Sequence, residues 1–128
     1  MKVRRCQMDT IFDRIGQENL YQMIDIFYSY VKEDERINHL FPGDFNETAR
    51  KQKQFLTQFF GGPTLYSDEH GHPMMRARHM PFMIGEYEKN AWLENMTKAA
   101  YEVRMDEGVR TYLLQRLTLT AEHMKNVD

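Results

Sequence analysis

An all-α fold is the expectation, and two features of the sequence carry it. Apolar residues return at three- and four-residue intervals along almost the whole chain, as a helix with one buried face requires. Runs in which β-branched residues alternate with polar ones, the mark of half-buried strands, do not occur. At 128 residues the chain is long enough to bury one core, so we expect a single domain over 1–128, with 1–9 as an extension outside the core.

The elements follow in order. Thr10 is placed to cap a short segment through Ile15, and Gly16 separates it from a longer helix. In that helix Leu20, Met23, Ile24, Phe27, Tyr28 and Val31 share a face, and it fades in the charged cluster Lys32-Glu33-Asp34-Glu35-Arg36. Phe41-Pro42-Gly43 breaks the chain, and Asp44 followed three residues later by Glu47 has the form of a capping box. The helix it opens would turn Thr48, Gln52, Phe55, Leu56 and Phe59 inward, a stripe in which two of the five are polar. Gly61-Gly62-Pro63 stops it, because glycine permits a left-handed cap and proline cannot continue the turn. Thr64 to Gly71 reads as a polar loop, and Pro73 opens a short helix that ends by Met80, since Pro81 follows. From Gly85 a helix carries Trp92, Met96, Ala99, Ala100 and Val103 on one face. After Asp106-Glu107-Gly108 a last one carries Val109, Leu113, Leu117, Thr120 and Met124. An up-down bundle would use short turns, whereas the region around His79 is a long, mostly irregular insert of the kind that serves a site.

Composition narrows the function. With 17 basic and 19 acidic side chains, a net charge of -2 and no long block of either sign, neither nucleic acid nor a membrane surface is an expected partner. No run approaches membrane-spanning length, and no apolar stretch follows Arg4-Arg5, so a cytoplasmic location is expected. The single Cys6 can form no disulfide within the chain and reads as a spare thiol. Ten methionines and 12% aromatics suit either a pocket for a flat apolar ligand or a methionine-rich core.

Five histidines are present: His39, His70, His72, His79 and His123. His70-Gly71-His72 with His79 is a weak zinc pattern, because no His-Glu-x-x-His pair and no nearby cysteine accompany it. No nucleophile elbow or phosphate-cradling glycine loop occurs. Haem asks for one axial imidazole, apolar walls, cations or hydroxyls at the rim, and a small set of donors on the far face of the iron, all of which this chain can supply.

Several segments, in order, resemble the bacterial truncated haemoglobins of the second, O-type group. They are Phe27-Tyr28, Leu40-Phe41-Pro42, Lys51-Gln52-Lys53-Gln54-Phe55-Leu56, Gly61-Gly62-Pro63, Gly71-His72-Pro73, Arg76-Ala77-Arg78-His79 with Pro81-Phe82, and Ala91-Trp92-Leu93. His79 stands thirteen residues before Trp92, and the likeness runs from about Thr10 to Met124. The resemblance implies a shortened globin in which two antiparallel helix pairs sandwich haem b, the truncated globin fold.

Carried over residue by residue, the resemblance makes His79 the iron ligand, with its other ring nitrogen held by a partner that fixes the tautomer. Phe41 packs on the haem face, and Tyr28, Thr48, Gln52 and Trp92 look across the distal pocket. Lys51, Tyr66 and Arg78 suit the propionates, with Arg76 as a further candidate; Phe55, Leu56, Phe82, Met75 and Met83 suit the apolar walls. Tyr28 and Trp92 are the strongest donors toward a bound ligand. Relatives differ at Phe41, Thr48 and Gln52, so the distal hydrogen-bond network cannot be copied from any of them. The implied function is reversible binding of dioxygen and other small diatomic ligands, for transport, storage or sensing. The alternative is a haem enzyme with peroxidase-like or nitric-oxide-scavenging activity at the same site, which would need a reductant, because no flavin or nicotinamide motif is present. A third reading is a helical interaction domain without a cofactor. A net charge near zero permits a monomer or a weak homodimer.

Overall fold

The computed structural model describes residues 10–41, 43–73 and 83–126. Among them all regular structure is helical. Thr10 accepts a hydrogen bond from the Asp13 amide while the Asp13 carboxylate accepts from the Thr10 amide, a reciprocal capping box that starts α1 (Ile11–Ile15). Gly16, at φ +88°, turns the chain directly into α2 (Gln17–Lys32). The face foreseen for α2 is the one that is buried: Leu20, Met23, Ile24, Phe27, Tyr28 and Val31.

A 3-10 turn over Asn38–Leu40 leads to α3 (Phe45–Phe59). Asp44 does cap α3, accepting from the Asn46 amide at 2.9 Å. The expected capping box is not completed, because the Glu47 carboxylate is drawn outward to Arg50 at 2.7 Å instead. Phe55 and Leu56 are buried as expected, and so is Thr57, while Thr48, Gln52 and Phe59 are half-buried.

The polar loop expected from Thr64 to Gly71 is instead largely a helix, α4 (Leu65–His70). Its composition gives little reason to fold alone; docking on α3 supplies it. Arg50, Gln54 and Gln58 lie four residues apart and so form one polar stripe. Arg50 grips Glu69 with two bonds (3.0 and 2.8 Å), Gln54 donates to Glu69 and meets the His70 ring (both 2.8 Å), and Gln58 both accepts from the Ser67 amide (2.9 Å) and donates to its hydroxyl (2.8 Å). Tyr66 packs edge-on against Phe55 beneath this stripe.

Gly85 and Asp106 open the last two helices, α5 (Glu86–Tyr101) and α6 (Glu107–Met124). Val103 lies just beyond α5 but is buried with the face assigned to that helix. Arg110 of α6 donates to the carbonyls of Ala100 and Val103, both at 2.9 Å, satisfying acceptors that the end of α5 leaves open. The core lies where α2 packs on α5 and α3, with α6 against α5 and α1 closing one end. The helix foreseen from Pro73 to Met80 falls outside the described residues apart from Pro73 itself.

Polar groups fix the connection between α2 and α3. Asp34 accepts from the Arg36 guanidinium (2.7 Å) and from buried Asn95 on α5 (2.9 Å). Arg36, with help from Asn95, holds the Asp34 carboxyl well below the usual carboxylate range. A depressed folded value means that this stabilisation is complete above the unfolded value of about 4 and drains away as the pH falls further. In denaturant titrations, therefore, the stability lost in Asp34→Asn should be full at neutral pH and shrink below pH ~4. At the end of α3, Gly61 sits at φ +98°, and a β-carbon there would lie 2.9 Å from Thr10 Cβ. Gly61→Ala should cost about 2 kcal/mol in the same measurement, from the left-handed backbone and the collision together.

Candidate functional site

A cavity of about 210 Å³ opens where all the long helices meet. The α2–α3 connection contributes Ile37, Leu40 and Phe41; α3 contributes Gln52, Phe55 and Leu56 one turn apart; and α6 contributes Leu117, Thr120, Ala121 and Met124 at helical spacing. Ile84 reaches in from the approach to α5, and Asn126 holds that approach by exchanging two bonds with Ile84, at 2.8 and 2.9 Å. The wall is thus mainly apolar, with polar groups at few points, as small-molecule sites generally are.

Its polar groups fall into two sets. Glu88 and Lys89 line the cavity but are already satisfied: the Glu88 carboxylate accepts from the Gly85 amide that begins α5 (2.9 Å), and the Lys89 ammonium bridges Glu86 (2.9 Å) and Glu122 (2.8 Å). Those bridges, with Lys125 between the same two glutamates, tie the start of α5 to the end of α6. The second set is unsatisfied. Tyr28 from α2, Gln52 from α3 and Trp92 from α5 all line the cavity, and among the described residues none of the three side chains has a hydrogen-bond partner. For Tyr28 this matters most, because it is only 5% exposed and burial pushes its phenol pKa up, keeping it a neutral donor.

Two of these groups, Tyr28 and Trp92, pack against aromatic rings. Tyr28 lies edge-on to Phe27 (centroids 4.8 Å apart) and to Phe41 (5.6 Å), and Trp92 lies edge-on to Phe27 (5.2 Å). A buried hydroxyl, an amide and an indole N–H converging without partners are donors waiting for a ligand inside the cavity, and an apolar cavity of this kind with a few convergent donors suits a flat, largely apolar cofactor such as haem.

Of the residues singled out from the sequence, Tyr28, Phe41, Gln52, Phe55, Leu56 and Trp92 come together on this wall. Thr48 is half-buried on α3, and its hydroxyl donates back to the Asp44 carbonyl at 3.1 Å. Lys51 is exposed, and Tyr66 is buried between Phe55 and His70 behind the wall. Met83 was expected in the apolar wall but is 73% exposed; the next residue, Ile84, turns in instead. Met75, Arg76, Arg78, His79 and Phe82 lie outside the described residues. Periodicity puts Leu117, Thr120 and Met124 on an inward face but not in a pocket, and no sequence signal marks Ile37, Ile84 or Ala121. Periodicity marks a buried face without telling a core from a cavity wall.

Comparison with known proteins adds the family. The model of the family described as bacterial-like globin matches residues 10–126. The chain is 50% identical to the group 2 truncated hemoglobin YjbI of Bacillus subtilis over 90% of this chain and 87% of that one. Its fold matches the crystal structure of the group II truncated hemoglobin from Bacillus anthracis with a TM-score of 0.89 and 48% identity, covering 93% of this chain and 92% of the other. The structure of the truncated oxygen-avid haemoglobin from Bacillus subtilis superposes equally well, TM-score 0.89 at 49% identity, over 92% of this chain and 100% of that one.

A buried hydroxyl without a partner destabilises the protein that carries it. Tyr28→Phe should therefore raise the unfolding free energy of the cofactor-free chain by about 1 kcal/mol, measured by urea titration. An unchanged or lowered stability would mean that the hydroxyl is already satisfied, by the protein or by water in the cavity.

Proposed function

The chain belongs to the bacterial-like globins and, within them, to the group 2 truncated hemoglobins, and from that membership we propose a haem protein that reversibly binds dioxygen and other diatomic ligands. The observation that carries this reading is that three donors without a hydrogen-bond partner among the described residues, Tyr28, Gln52 and Trp92, line one largely apolar cavity from three helices. When bound, the haem supplies an iron centre at which a diatomic ligand can bind and be released.

The residues divide the remaining work. His79, which lies outside the described residues, would hold the iron, an assignment that rests on the resemblance. Phe41, Phe55 and Leu56, which line the cavity, would exclude water and form walls for the haem, and Phe82 is assigned with them. Tyr28 and Trp92 would offer hydrogen bonds to a bound diatomic ligand, with Gln52 beside them, and such bonds would slow its release because they must be broken first. From the resemblance, and not from the cavity lining, Lys51, Tyr66 and Arg78 would hold the propionates and Thr48 would look across the distal pocket. A b-type haem, held without covalent attachment, agrees with a chain whose single cysteine rules out a Cys-x-x-Cys-His attachment motif. No described helix is long and apolar enough to cross a membrane, and we place the protein in the cytoplasm, as a monomer or weak homodimer served by a separate reductant.

Haemin titration of the purified chain should reach a sharp one-to-one end point, with histidine-ligated globin bands after reduction and exposure to carbon monoxide. Flat, non-saturating uptake would leave only the fold in common with the globins. His79→Ala should abolish the five-coordinate ferrous spectrum, and a normal spectrum in that variant would remove the ligand assignment. Tyr28→Phe should speed dioxygen release about tenfold in stopped-flow exchange. An unchanged rate would transfer that bond to Trp92 or Gln52.

A further inference from the structure

Two of the donors above have a mechanical problem in common. Among the described residues neither the Tyr28 hydroxyl nor the Trp92 indole N–H is anchored by a hydrogen bond, so packing rather than a polar contact holds each side chain there. Tyr28 also touches Phe41 and Phe45, but among the described residues the one ring that Trp92 meets is Phe27. Phe27 is 0% exposed and meets both donors edge-on, at 70° to Tyr28 and 66° to Trp92. It is therefore a wedge between a donor on its own helix and a donor on α5, across the α2–α5 contact.

We propose that Phe27, although it does not line the cavity, is the positioning residue that sets the rotamers of Tyr28 and Trp92 together and so couples the two distal donors. The ring is suited to this because it is rigid, fully buried and too large to shift without displacing one of its partners. An aliphatic side chain of similar volume fills the space but has no flat edge to present to either ring. Tyr28 and Trp92 would then sample more than one rotamer independently, and the cavity would lose its single donor arrangement.

The effect on ligand release rests on the globin reading, whereas the effect on Trp92 does not. Trp92 is the only tryptophan in the chain, so its fluorescence reports its own environment in the cofactor-free protein. In Phe27→Leu we expect a decay with additional lifetimes and an emission maximum shifted to the red, with far-ultraviolet circular dichroism unchanged. Emission and lifetimes identical to those of the unaltered chain would overturn the proposal whatever the haem result.

In the haem-loaded protein, Phe27→Leu should split the carbon monoxide stretching band into several conformers and speed dioxygen release about tenfold. The decisive control is the Tyr28→Phe/Trp92→Phe background, where the donors are already gone. There Phe27→Leu should leave the release rate unchanged while lowering stability as much as it does in the original chain. An equal acceleration in both backgrounds would make Phe27 ordinary core and overturn its role as a positioner. Should the chain take up no haem, the fluorescence result still decides whether Phe27 orients Trp92. Should Phe27→Leu fail to fold, Phe27→Met, which keeps an unbranched apolar side chain of adaptable shape, carries the same expectations.

Discussion

The burial of α2 is the constraint on which the rest depends. This helix packs on α3 along one side and on α5 along the other, and its inner face from Leu20 to Val31 is almost wholly removed from water. At roughly 1.5 to 3 kcal/mol for each large apolar side chain fully buried, that face is among the main sources of the protein's stability. The same burial serves the site. Phe27 and Tyr28 are consecutive on this helix, so the helix that Phe27 packs against Trp92 of α5 also brings Tyr28 to the cavity wall. Stability and function are not separate allotments of sequence in this part of the molecule.

Around that apolar centre, polar contacts act at the ends and crossings of elements. Asn95, almost fully buried, reaches Asp34 and so pins the α2–α3 connection, which carries Ile37, Leu40 and Phe41, to the helix that carries Trp92. Arg110 closes the end of α5, and Lys89 and Lys125 bridge Glu86 and Glu122 between α5 and α6. The glutamates of the last set are exposed, and pairs open to solvent on one side contribute little individually. Their value is geometric: they hold two cavity-forming helices in one register. The cavity itself keeps unsatisfied donors, which a core optimised only for stability would not retain.

Much of this was legible in the chain. The α2 face, the Gly16 and Gly61 breaks, the Asp44 cap and the inward faces of α5 and α6 follow from local periodicity and capping chemistry, and the structure agrees with each. The residues Tyr28, Phe41, Gln52, Phe55 and Trp92 were identified as a site through resemblance, and they do come together on one wall. The exceptions are instructive. The segment holding Tyr66 and His70 looked like loop because its residues are polar, and it is helical because Arg50, Gln54 and Gln58 of α3 offer it a polar surface. Glu47 was placed to complete a cap and was taken by Arg50, a competition that spacing along the chain does not reveal.

By itself, the sequence determined the helical class, where most helices begin and end, and which faces are buried, because these depend on interactions between residues within a few positions of one another. Only the tertiary structure decided which buried faces line a cavity rather than fill a core, that Ile84 enters the wall while Met83 stays outside, and that Phe27 meets donors from two helices at once. Those outcomes depend on the relative placement of elements distant along the chain. Hydrophobic patterning demands burial there, but it is equally satisfied by any neighbour of the right size.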